Sequence, residues 1–348
     1  MRNEIEKITI SDIARELNIT AATVSRALND HPGIRDSTKR AVKETARKLN
    51  YQPNKIASSL RLGRSKIIGV IIPSAEINFF GSVVHGIEKV ANENNYSVLI
   101  YQSNEHIEFE KKGVKTFLQS RVDGVLASIS KETINLDHYR EIINRGVPLV
   151  LFDRGNDQLG VSSVLVDDYA GAFEATRHLI MQGCKRIAHI GGQQHVGIFN
   201  QRLKGYVDAL NVHGIGVDDD LILYGKVSID SGRDCMQHLL SISSRPDAVF
   251  AVEDFTAVGA IQAMKAANIR IPEDIAIVGF ANETFGEFIT PSLSTVNQQT
   301  TVMGESAARI FFEAMKTNAY YKDGPRKLIL EPKLIVRQSS MKIKKGIL

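Results

Sequence analysis

The chain has 348 residues with 43% hydrophobic residues, 24% charged residues and a net charge of +4, and this size predicts more than one globular domain. No apolar run approaches the roughly 18 residues that span a bilayer, the charged N-terminus lacks the apolar core of a secretion signal, and only two cysteines occur. Membrane proteins, disulfide frameworks and cysteine zinc sites are therefore disfavoured, and we expect a cytoplasmic protein.

The net charge is divided unevenly along the chain. Residues 1–66 contain 14 lysine and arginine residues against 7 aspartate and glutamate residues, a net charge of +7, so residues 67–348 carry −3. A basic N-terminal segment on a mildly acidic body predicts that this segment binds a polyanion. Taken alone, such a charge also fits an ordinary solvated surface.

Residues 8–29 predict two short helices joined by a tight turn. Thr9 and Asp12 have the spacing of an N-cap residue and the acidic residue that follows it in the first turn. Asn18 suits the turn because it tolerates a positive φ, and Thr20 suits the cap of the second helix. The apolar positions of the first helix recur on one face: Ile13, Ala14 and Leu17.

The second helix has the features of a helix that enters the DNA major groove. Val24 and Leu28 are predicted to face inward, which leaves an outward set: Ala21, Ala22, Ser25, Arg26 and Asn29. Small residues at the start of a helix, followed by an arginine, suit a helix whose N-terminus enters the groove first. An ordinary helical hairpin is the alternative, and the basic charge of this segment favours nucleic acid.

A third helix is predicted over residues 36–50, and the Tyr51-Gln52-Pro53 sequence ends this unit. The next segment, residues 54–63, has no apolar face wide enough to fold alone. An isolated helix of this length is marginal in water. We therefore expect a linker that is helical only when a partner holds it.

From residue 66 onward, strand and helix signals alternate. The predicted buried strands are 67–72, 97–101, 124–127, 148–152, 163–166, 186–190, 248–252 and 275–279. Helical stretches separate them, among which are 81–94, 169–182, 201–213, 230–241 and 256–267. Two successive series predict two lobes with doubly wound parallel sheets, facing one another across a cleft. Ligand sites in such sheets lie beyond the carboxyl ends of the strands.

Several short sequences carry a family likeness: 51–54, 54–63, 68–73, 153–154, 190–192, 202–206, 278–280 and 291–296. In order and spacing, together with the N-terminal helices, they resemble the lactose repressor and purine repressor family of bacterial transcription regulators, to about residue 340. The resemblance implies a homodimer on a pseudo-palindromic DNA operator. It also implies a body similar to periplasmic sugar-binding proteins, whose chain crosses between lobes near Val166, Thr295 and Leu330.

The resemblance implies a multidomain fold: an all-α helix-turn-helix head, a hinge helix and a two-lobed α/β body. The expected segments are the head 1–53, the hinge 54–65, a first effector lobe 66–166 plus 296–329, a second effector lobe 167–295 plus 330–340, and a tail 341–348. The tail contains no leucine heptads, so a dimer is expected rather than a coiled-coil tetramer.

In such regulators the second helix reads the bases. Arg26 is expected to contact guanine, because a guanidinium can satisfy O6 and N7 together. Ala21 and Ala22 match the positions that the family varies to choose operators, and here they offer only apolar contacts. A polar set is expected to hold phosphates: Thr20, Thr23, Ser25 and Asn29. A solvated helix face is the alternative for each polar residue.

The resemblance also assigns roles within the linker. Leu60 aligns with a leucine that the family inserts between base pairs from the minor groove, Ala57 with a close approach to the groove, and Arg61 with a basic minor-groove contact. The alternative is that Leu60 packs into the core of the body.

The effector site is mapped by the same resemblance. The loop 74–80 after the first body strand is expected to supply ligand contacts, with Phe79 and Phe80 as ring surfaces and core packing as their alternative. Arg202 is expected to bind effector hydroxyls or carboxylates. The remaining cleft candidates are Asp153, Arg154, Glu253, Asp254 and Asn282. The family commonly has aspartate where this chain has Ala281, so Asn282 or Glu283 is left to replace that acceptor.

These features predict a ligand-responsive, DNA-binding repressor of carbohydrate-utilisation genes, with a sugar-like effector. Induction and corepression both fit the sequence. Two alternatives are a solute-binding protein without DNA activity and a sugar-modifying enzyme. The chain has no nucleophile elbow, dinucleotide fingerprint or phosphate loop, and three of its histidines (178, 189 and 195) lack ligand spacing. We therefore expect no catalytic activity, cofactor or metal.

Overall fold

The structure is a computed structural model that describes residues 8–52, 63–317, 321 and 324–342. The chain divides into two compact units, Met1–Ser65 and Lys66–Leu348. Three residues with expected roles in the linker lie outside the described residues: Ala57, Leu60 and Arg61.

The first unit contains three helices: α1 (Ile10–Glu16), α2 (Ala21–Leu28) and α3 (Asp36–Lys48). The predicted helix starts are confirmed. The Thr9 N–H donates a hydrogen bond to Asp12 Oδ2 at 2.9 Å, and the Thr23 N–H donates one to Thr20 Oγ1 at 3.1 Å. Asn18 has the positive φ, 50°, that the turn between α1 and α2 requires.

Five side chains form the centre of this small core: Ile13, Ala14, Val24, Ala27 and Val42. Ala27, which the sequence pattern did not single out, is fully buried because it lies three residues after Val24 on the same face of α2. Leu28 and Ala21 are only partly buried and pack against this core from its edge.

The second unit contains twelve strands and nine further helices in its described part. The strands are β1 (Ile67–Ile72), β2 (Ser97–Gln102), β3 (Gly124–Ala127), β4 (Leu149–Phe152), β5 (Ser162–Val166), β6 (Ile187–Gly191), β7 (Ile222–Tyr224), β8 (Ala248–Ala251), β9 (Ala276–Phe280), β10 (Ser294–Asn297), β11 (Lys327–Leu330) and β12 (Lys333–Ile335). The helices are α4 (Asn78–Glu93), α5 (Ile107–Gln119), α6 (Asp137–Asn144), α7 (Asp168–Met181), α8 (Gly197–Val212), α9 (Ile229–Ser241), α10 (Asp254–Ala266), α11 (Phe285–Phe288) and α12 (Thr300–Thr317). Short 3-10 turns lie at Asp157–Leu159, Asp219–Leu221 and Gln338–Ser340.

The strands form two six-stranded sheets, which define the two lobes. The first sheet has the order β11-β5-β4-β3-β1-β2, and the second has the order β12-β10-β9-β8-β6-β7. All neighbours pair in parallel except β12, which runs antiparallel to β10. In each sheet the strand order reverses at one point, between β1 and β3 and between β6 and β8, where doubly wound sheets bind ligands.

Three connecting segments join the lobes. The chain leaves the first sheet after β5, which ends at Val166, and returns after β10, which ends at Asn297. It crosses again between Leu330 and Lys333, from β11 to β12. Helix α12 then belongs to the first lobe, where its Met303, Ala307 and Phe311 pack with α4.

One predicted strand has a different environment from the one expected. The apolar sequence of β2 predicted a buried strand, but Leu99 and Ile100 are 37% and 44% exposed. The reason is its position: β2 ends the first sheet and pairs with β1 alone. Part of the apolar surface of this edge strand is left uncovered within one chain.

Helices cover both faces of each sheet, and glycines allow two of them to pack closely. Helices α4 and α12 meet at Gly86 and Gly304, where an added methyl group would lie 2.2 Å from the Thr301 carbonyl oxygen and 2.0 Å from that of Val83. Any side chain at either position would force these helices apart. Within the described residues, no helix is both long enough and apolar enough to cross a membrane.

Candidate functional site

Helix α2 presents a mixed surface to solvent. Ala22, Arg26 and Asn29 are exposed, while Ala21 is half-buried against the core. The Arg26 guanidinium makes no ion pair with another described residue. A long cation therefore stands beside small side chains on the exposed face of a capped helix, which is the chemistry that major-groove reading uses.

The polar residues proposed to hold phosphates form local hydrogen bonds. Thr20 Oγ1 and Thr23 Oγ1 lie 2.9 Å apart, and Asn29 Nδ2 donates to the Ser25 carbonyl oxygen at 2.6 Å. These bonds fix the two ends of α2. Thr20 and Asn29 are exposed at those ends, and Thr23 and Ser25 are partly exposed between them.

The basic charge of the first unit is only partly neutralised. Three lysines form ion pairs: Lys39 with Asp36, Lys43 with Asp30 and Lys48 with Glu16. Arginines 26, 35, 40 and 47 form none with the residues that the structure describes. The arginines thus supply an uncompensated positive field on this unit.

A cavity of about 300 Å³, part of it open to solvent, lies between the two lobes of the second unit. Its walls come from segments that follow the carboxyl ends of β1, β4, β6, β8 and β10: Ile77, Phe79, Phe80, Asp153, Arg154, Ile198, Phe199, Arg202, Glu253 and Gln298. Parallel strands of both sheets therefore end at the same place, as doubly wound sheets require of a ligand site.

Six of the eight effector-site candidates from the sequence line this cavity: Phe79, Phe80, Asp153, Arg154, Arg202 and Glu253. Phe79 and Phe80 meet edge to face, with ring centroids 4.9 Å apart. Both rings are also buried among the core residues of the first lobe. The two interpretations of these rings, core packing and cavity wall, therefore apply together.

Asp254 and Asn282 do not line the cavity. Asp254 is fully buried, and its two oxygens accept hydrogen bonds from Thr295 Oγ1 and the Glu283 N–H, each at 2.7 Å. Burial raises the pKa of Asp254 to about 7. Asn282 Oδ1 accepts a hydrogen bond from Arg337 at 2.9 Å. Both residues instead support the loop after β9.

Three cavity residues were not among the sequence candidates: Ile198, Phe199 and Gln298, whereas Ile77 lies in the expected loop 74–80. Ile77 precedes the predicted ring pair by two residues, and Ile198 and Phe199 follow the Gly191-Gly192 turn after β6. Because Ile198 and Phe199 follow the carboxyl end of a predicted strand, the sequence alone could have identified them as cavity candidates. Gln298 follows β10, a strand that the apolar pattern did not reveal.

Arg154 is held by a carboxylate of its own lobe. Its Nη1 and Nη2 donate to the two oxygens of Glu105 at 2.9 and 3.0 Å, and Nη1 also donates to the Ile129 carbonyl oxygen at 3.1 Å. Burial opposes the charge on Glu105, but Arg154 and Lys131 hold the pKa of this carboxyl below its usual value. The Arg154 Nε is buried without a hydrogen-bond partner among the described residues.

Arg202 is held in a similar way by residues of the other lobe. Its Nε and Nη2 lie 2.8 and 2.7 Å from Asp168 Oδ1, and its Nη1 donates to the Val252 carbonyl oxygen at 2.7 Å. The guanidinium also stacks 3.7 Å from the centroid of the Phe280 ring. Burial raises the pKa of Asp168 to about 6, and Arg202 opposes this shift.

Asp153 and Glu253 face the cavity from opposite lobes. Asp153 has a positive φ of 62°, which directs the chain away from β4, and one of its oxygens accepts a hydrogen bond from Ser128 Oγ at 3.1 Å. The Glu253 carboxylate accepts no hydrogen bond from another described residue. Burial raises the pKa of both carboxyls.

Hydrogen bonds join the lobes on two sides of the cavity. The Phe79 N–H, in the first turn of α4, donates to Glu283 Oε1 at 3.1 Å. On the other side, His195 Nε2 lies 2.8 Å from the Lys131 carbonyl oxygen and donates to it. A wider groove of about 1040 Å³, open to solvent, adjoins the cavity and shares Asp153, Arg154 and Ile198 with it.

Comparison with known proteins gives matches along the chain. Residues 9–54 match bacterial regulatory proteins of the lacI family, and residues 176–340 match a periplasmic binding protein-like domain. The HTH-type transcriptional regulator RegA of Clostridium saccharobutylicum is 32% identical over 335 residues, covering 96% of this chain and 99% of that protein.

Solved structures also match. The transcriptional regulator CelR–cellobiose complex is 29% identical with a TM-score of 0.72, over 95% of this chain and 99% of that one. The lac repressor dimer bound to operator and the anti-inducer ONPF has a TM-score of 0.86, over 97% of this chain and 100% of that one. At 23% identity, that match shows a shared fold.

Proposed function

The chain belongs to the lacI family of bacterial regulatory proteins, ligand-responsive DNA-binding regulators of transcription, and on that premise we propose a repressor of carbohydrate-utilisation genes. In this proposal it binds a pseudo-palindromic operator as a homodimer and responds to a sugar-like effector between its lobes. Since its partner is chromosomal DNA, it acts in the cytoplasm. It is not an enzyme, in keeping with its relatives, which are regulators.

The observation that carries the proposal is the exposed face of α2. Arg26 forms no ion pair with a described residue, so its guanidinium can meet guanine O6 and N7 without breaking a salt bridge to that part of the chain. Ala21 and Ala22, at the start of the helix, bring the backbone close to the base edges and offer methyl groups to thymine. The polar residues at the ends of α2 hold the flanking phosphates: Thr20, Thr23, Ser25 and Asn29.

The linker completes the DNA interface in this proposal. Leu60 unstacks a base step from the minor groove, Ala57 permits the close approach, and Arg61 contacts the groove. Unstacking costs a few kcal/mol, which the contacts of the bent DNA offset. The hinge is residues 54–65, between the head 1–53 and the body.

The effector cavity is proposed to take a sugar. Aromatic rings and paired polar groups line it, and a small-molecule site needs this combination of apolar surface and a few oriented polar groups. The similar CelR structure is a complex with cellobiose. The lobes around it are residues 66–166 plus 296–329 and residues 167–295 plus 330–340, with a tail at 341–348.

The dimer is proposed to use the free edges of the sheets. Leu99 and Ile100 on β2, and Tyr224 on the edge strand β7, are 37%, 44% and 55% exposed. A second copy that covers these edges would remove apolar surface from water. Two-fold symmetry then places two α2 helices on the two halves of an operator.

The test is binding to duplex DNA by the full chain. We expect selection from a random duplex library to yield a two-fold symmetric site, and its affinity to fall about a thousandfold or more between 50 and 200 mM salt. A solute-binding protein or an enzyme would show neither result. A selected sequence without two-fold symmetry would contradict the homodimer.

A further inference from the structure

The positive charges of the effector cavity are already matched by carboxylates of the protein. Arg154 is bonded to both oxygens of Glu105, and Arg202 contacts Asp168 through two nitrogens. Both guanidinium groups are nearly inaccessible, at 8% and 2% exposure. A phosphate or carboxylate on a ligand would have to displace these pairs, and for Arg202 this would leave the buried Asp168 without its cation, which is strongly unfavourable.

Two further carboxylates face the cavity without a comparable partner. Asp153 Oδ2 lies 3.6 Å from Arg154 Nε, beyond hydrogen-bonding distance, and its one hydrogen bond comes from Ser128. The Glu253 carboxylate accepts no hydrogen bond from any other residue in the described part of the chain. The cavity therefore presents open acceptors that carry or develop negative charge.

Arg154 and Gln298 are donor-bearing residues of the cavity wall. The Nε of Arg154 is buried and unpartnered among the described residues, and Gln298, which is 3% exposed, also lines the cavity. A hydroxyl group can donate to a carboxylate and accept from such an N–H at the same time. Rings of Phe80 and Phe199 offer apolar surface to the C–H face of a small ring.

From this arrangement we propose that the effector is an uncharged, hydroxyl-rich molecule, and that phosphorylated or carboxylated forms of the same molecule are excluded. This inference rests on the proposed function, because it describes the ligand of the same cavity.

The experiment is a thermal-shift series on the full chain with matched ligands. The pairs are glucose with glucose 6-phosphate and with gluconate, ribose with ribose 5-phosphate, and galactose with galacturonate. We expect at least one uncharged sugar to raise the unfolding temperature, and its anionic counterpart to bind at least tenfold more weakly. The inference is overturned if an anionic member stabilises more than its partner, or if no uncharged member stabilises.

A variant places the discrimination on a named residue. Glu253→Gln removes the open carboxylate while it keeps the side-chain volume, and it should weaken binding of the uncharged sugar about tenfold, as loss of a charged hydrogen bond does. Glu88→Gln, on the exposed face of α4, is the control and should leave binding unchanged. Unaltered sugar affinity in Glu253→Gln would remove this carboxylate from the site and overturn the inference.

The regulator proposal and the ligand class can be refuted independently of each other. If the chain binds no duplex DNA yet prefers the uncharged sugar of a pair, the regulator proposal fails and the ligand class stands. If the chain binds a symmetric operator and an anion releases or tightens it, the regulator stands and the ligand class fails.

Discussion

The main-chain N–H of Phe79 and the carboxylate of Glu283 form a hydrogen bond across the two lobes, with an N–O distance of 3.1 Å. Phe79 is in the first turn of a 16-residue helix, so the carboxylate also meets the positive end of the helix dipole. Glu283, two residues after Ala281, is an acidic group that reaches the other lobe. Glu283 thus links the two lobes beside the cavity.

Removal of this contact should favour an open cleft. We expect Glu283→Ala to weaken binding of the stabilising sugar about tenfold or more, because a hydrogen bond to a charged group contributes about 1.5–3 kcal/mol. Titration calorimetry measures the affinity, and solution scattering should show a larger radius of gyration for the variant without ligand. Glu88→Ala, on the same helix as Phe79, is the control. An unchanged radius and affinity would show that Glu283 does not control closure.

Arg26 should contribute to operator affinity and to base preference. Arg26→Ala is expected to weaken operator binding by about 1–3 kcal/mol and to relax the preference for guanine at one position of each half-site. Arg121→Ala makes the same charge change on an exposed position of the second unit and serves as the control. Fluorescence anisotropy on the selected duplex and on single-base variants measures both effects. A uniform loss across all sequences would instead assign Arg26 to a phosphate.

Leu60, although outside the described residues, has a sharp expected effect. Leu60→Ala should weaken operator binding by about 1.5 kcal/mol or more, since the apolar wedge that unstacks the base step is lost. A filter-binding or fluorescence titration measures this, and Leu60→Met, which keeps an apolar side chain of similar volume, should retain most of the affinity. Equal affinity for Leu60→Ala and the natural chain would place Leu60 in the body instead.

The exposed edge of β2 should hold the dimer together. Ile100→Asp places a charge in an apolar contact, and we expect a monomer by size-exclusion chromatography with light scattering at micromolar concentration. Ile134, which is 83% exposed away from the sheet edges, gives the matched control Ile134→Asp. A dimer that survives Ile100→Asp but dissociates with a substitution elsewhere would assign the interface to another surface.

His189 should make stability depend on pH. Its ring is buried between Phe250 and Tyr206, and Nδ1 lies 3.0 Å from the Phe250 carbonyl oxygen, while Nε2 has no described partner. Burial lowers the pKa of His189 from 6.5 to about 4. Between these values the unfolded chain gains a proton that the folded chain does not. The free energy of unfolding therefore falls as the pH falls through this window, by about 3 kcal/mol at this site.

His189→Phe isolates this effect from that of other groups. Burial raises the pKa of Asp168 to about 6 and of Asp254 to about 7, so the stability that these carboxyls contribute falls as pH rises, with the opposite sign. They are common to both proteins. Urea unfolding at pH 7 and pH 4 should show a larger loss in the natural chain than in the variant, and parallel losses would contradict the assignment.

The sequence predicted strands correctly where a continuous run of apolar residues marks a strand buried on both faces. The run Ile67–Ile72 reads as a buried parallel strand because both of its faces are covered, so its apolar residues are continuous. The short edge strands β11 and β12 mix lysine with apolar residues and gave no such signal. The sequence also failed to predict the exposure of β2, because an edge strand can have the same apolar sequence as a central strand.

Only some of the cavity residues could be predicted from the sequence. Asp153 and Arg202 entered through a family resemblance, which transfers positions but not contacts. Their partners are set by the tertiary fold: Arg202 meets Asp168, 34 residues away, and Arg154 meets Glu105, 49 residues away. Pairings at such separations depend on how the lobes fold, and they determine which charges remain available to a ligand.

The ion pair between Arg202 and Asp168 joins the cavity wall to the joint of the molecule. Asp168 is the first residue of α7, two residues beyond the end of β5, where the chain passes from one lobe to the other. The neighbouring Asp167 N–H donates to the Leu330 carbonyl oxygen at 3.0 Å, on a second connecting segment. Through Asp168, Arg202 is therefore connected to two of the three crossings. A single side chain, that of Asp168, thus lies between a residue of the cavity wall and the segments that connect the lobes.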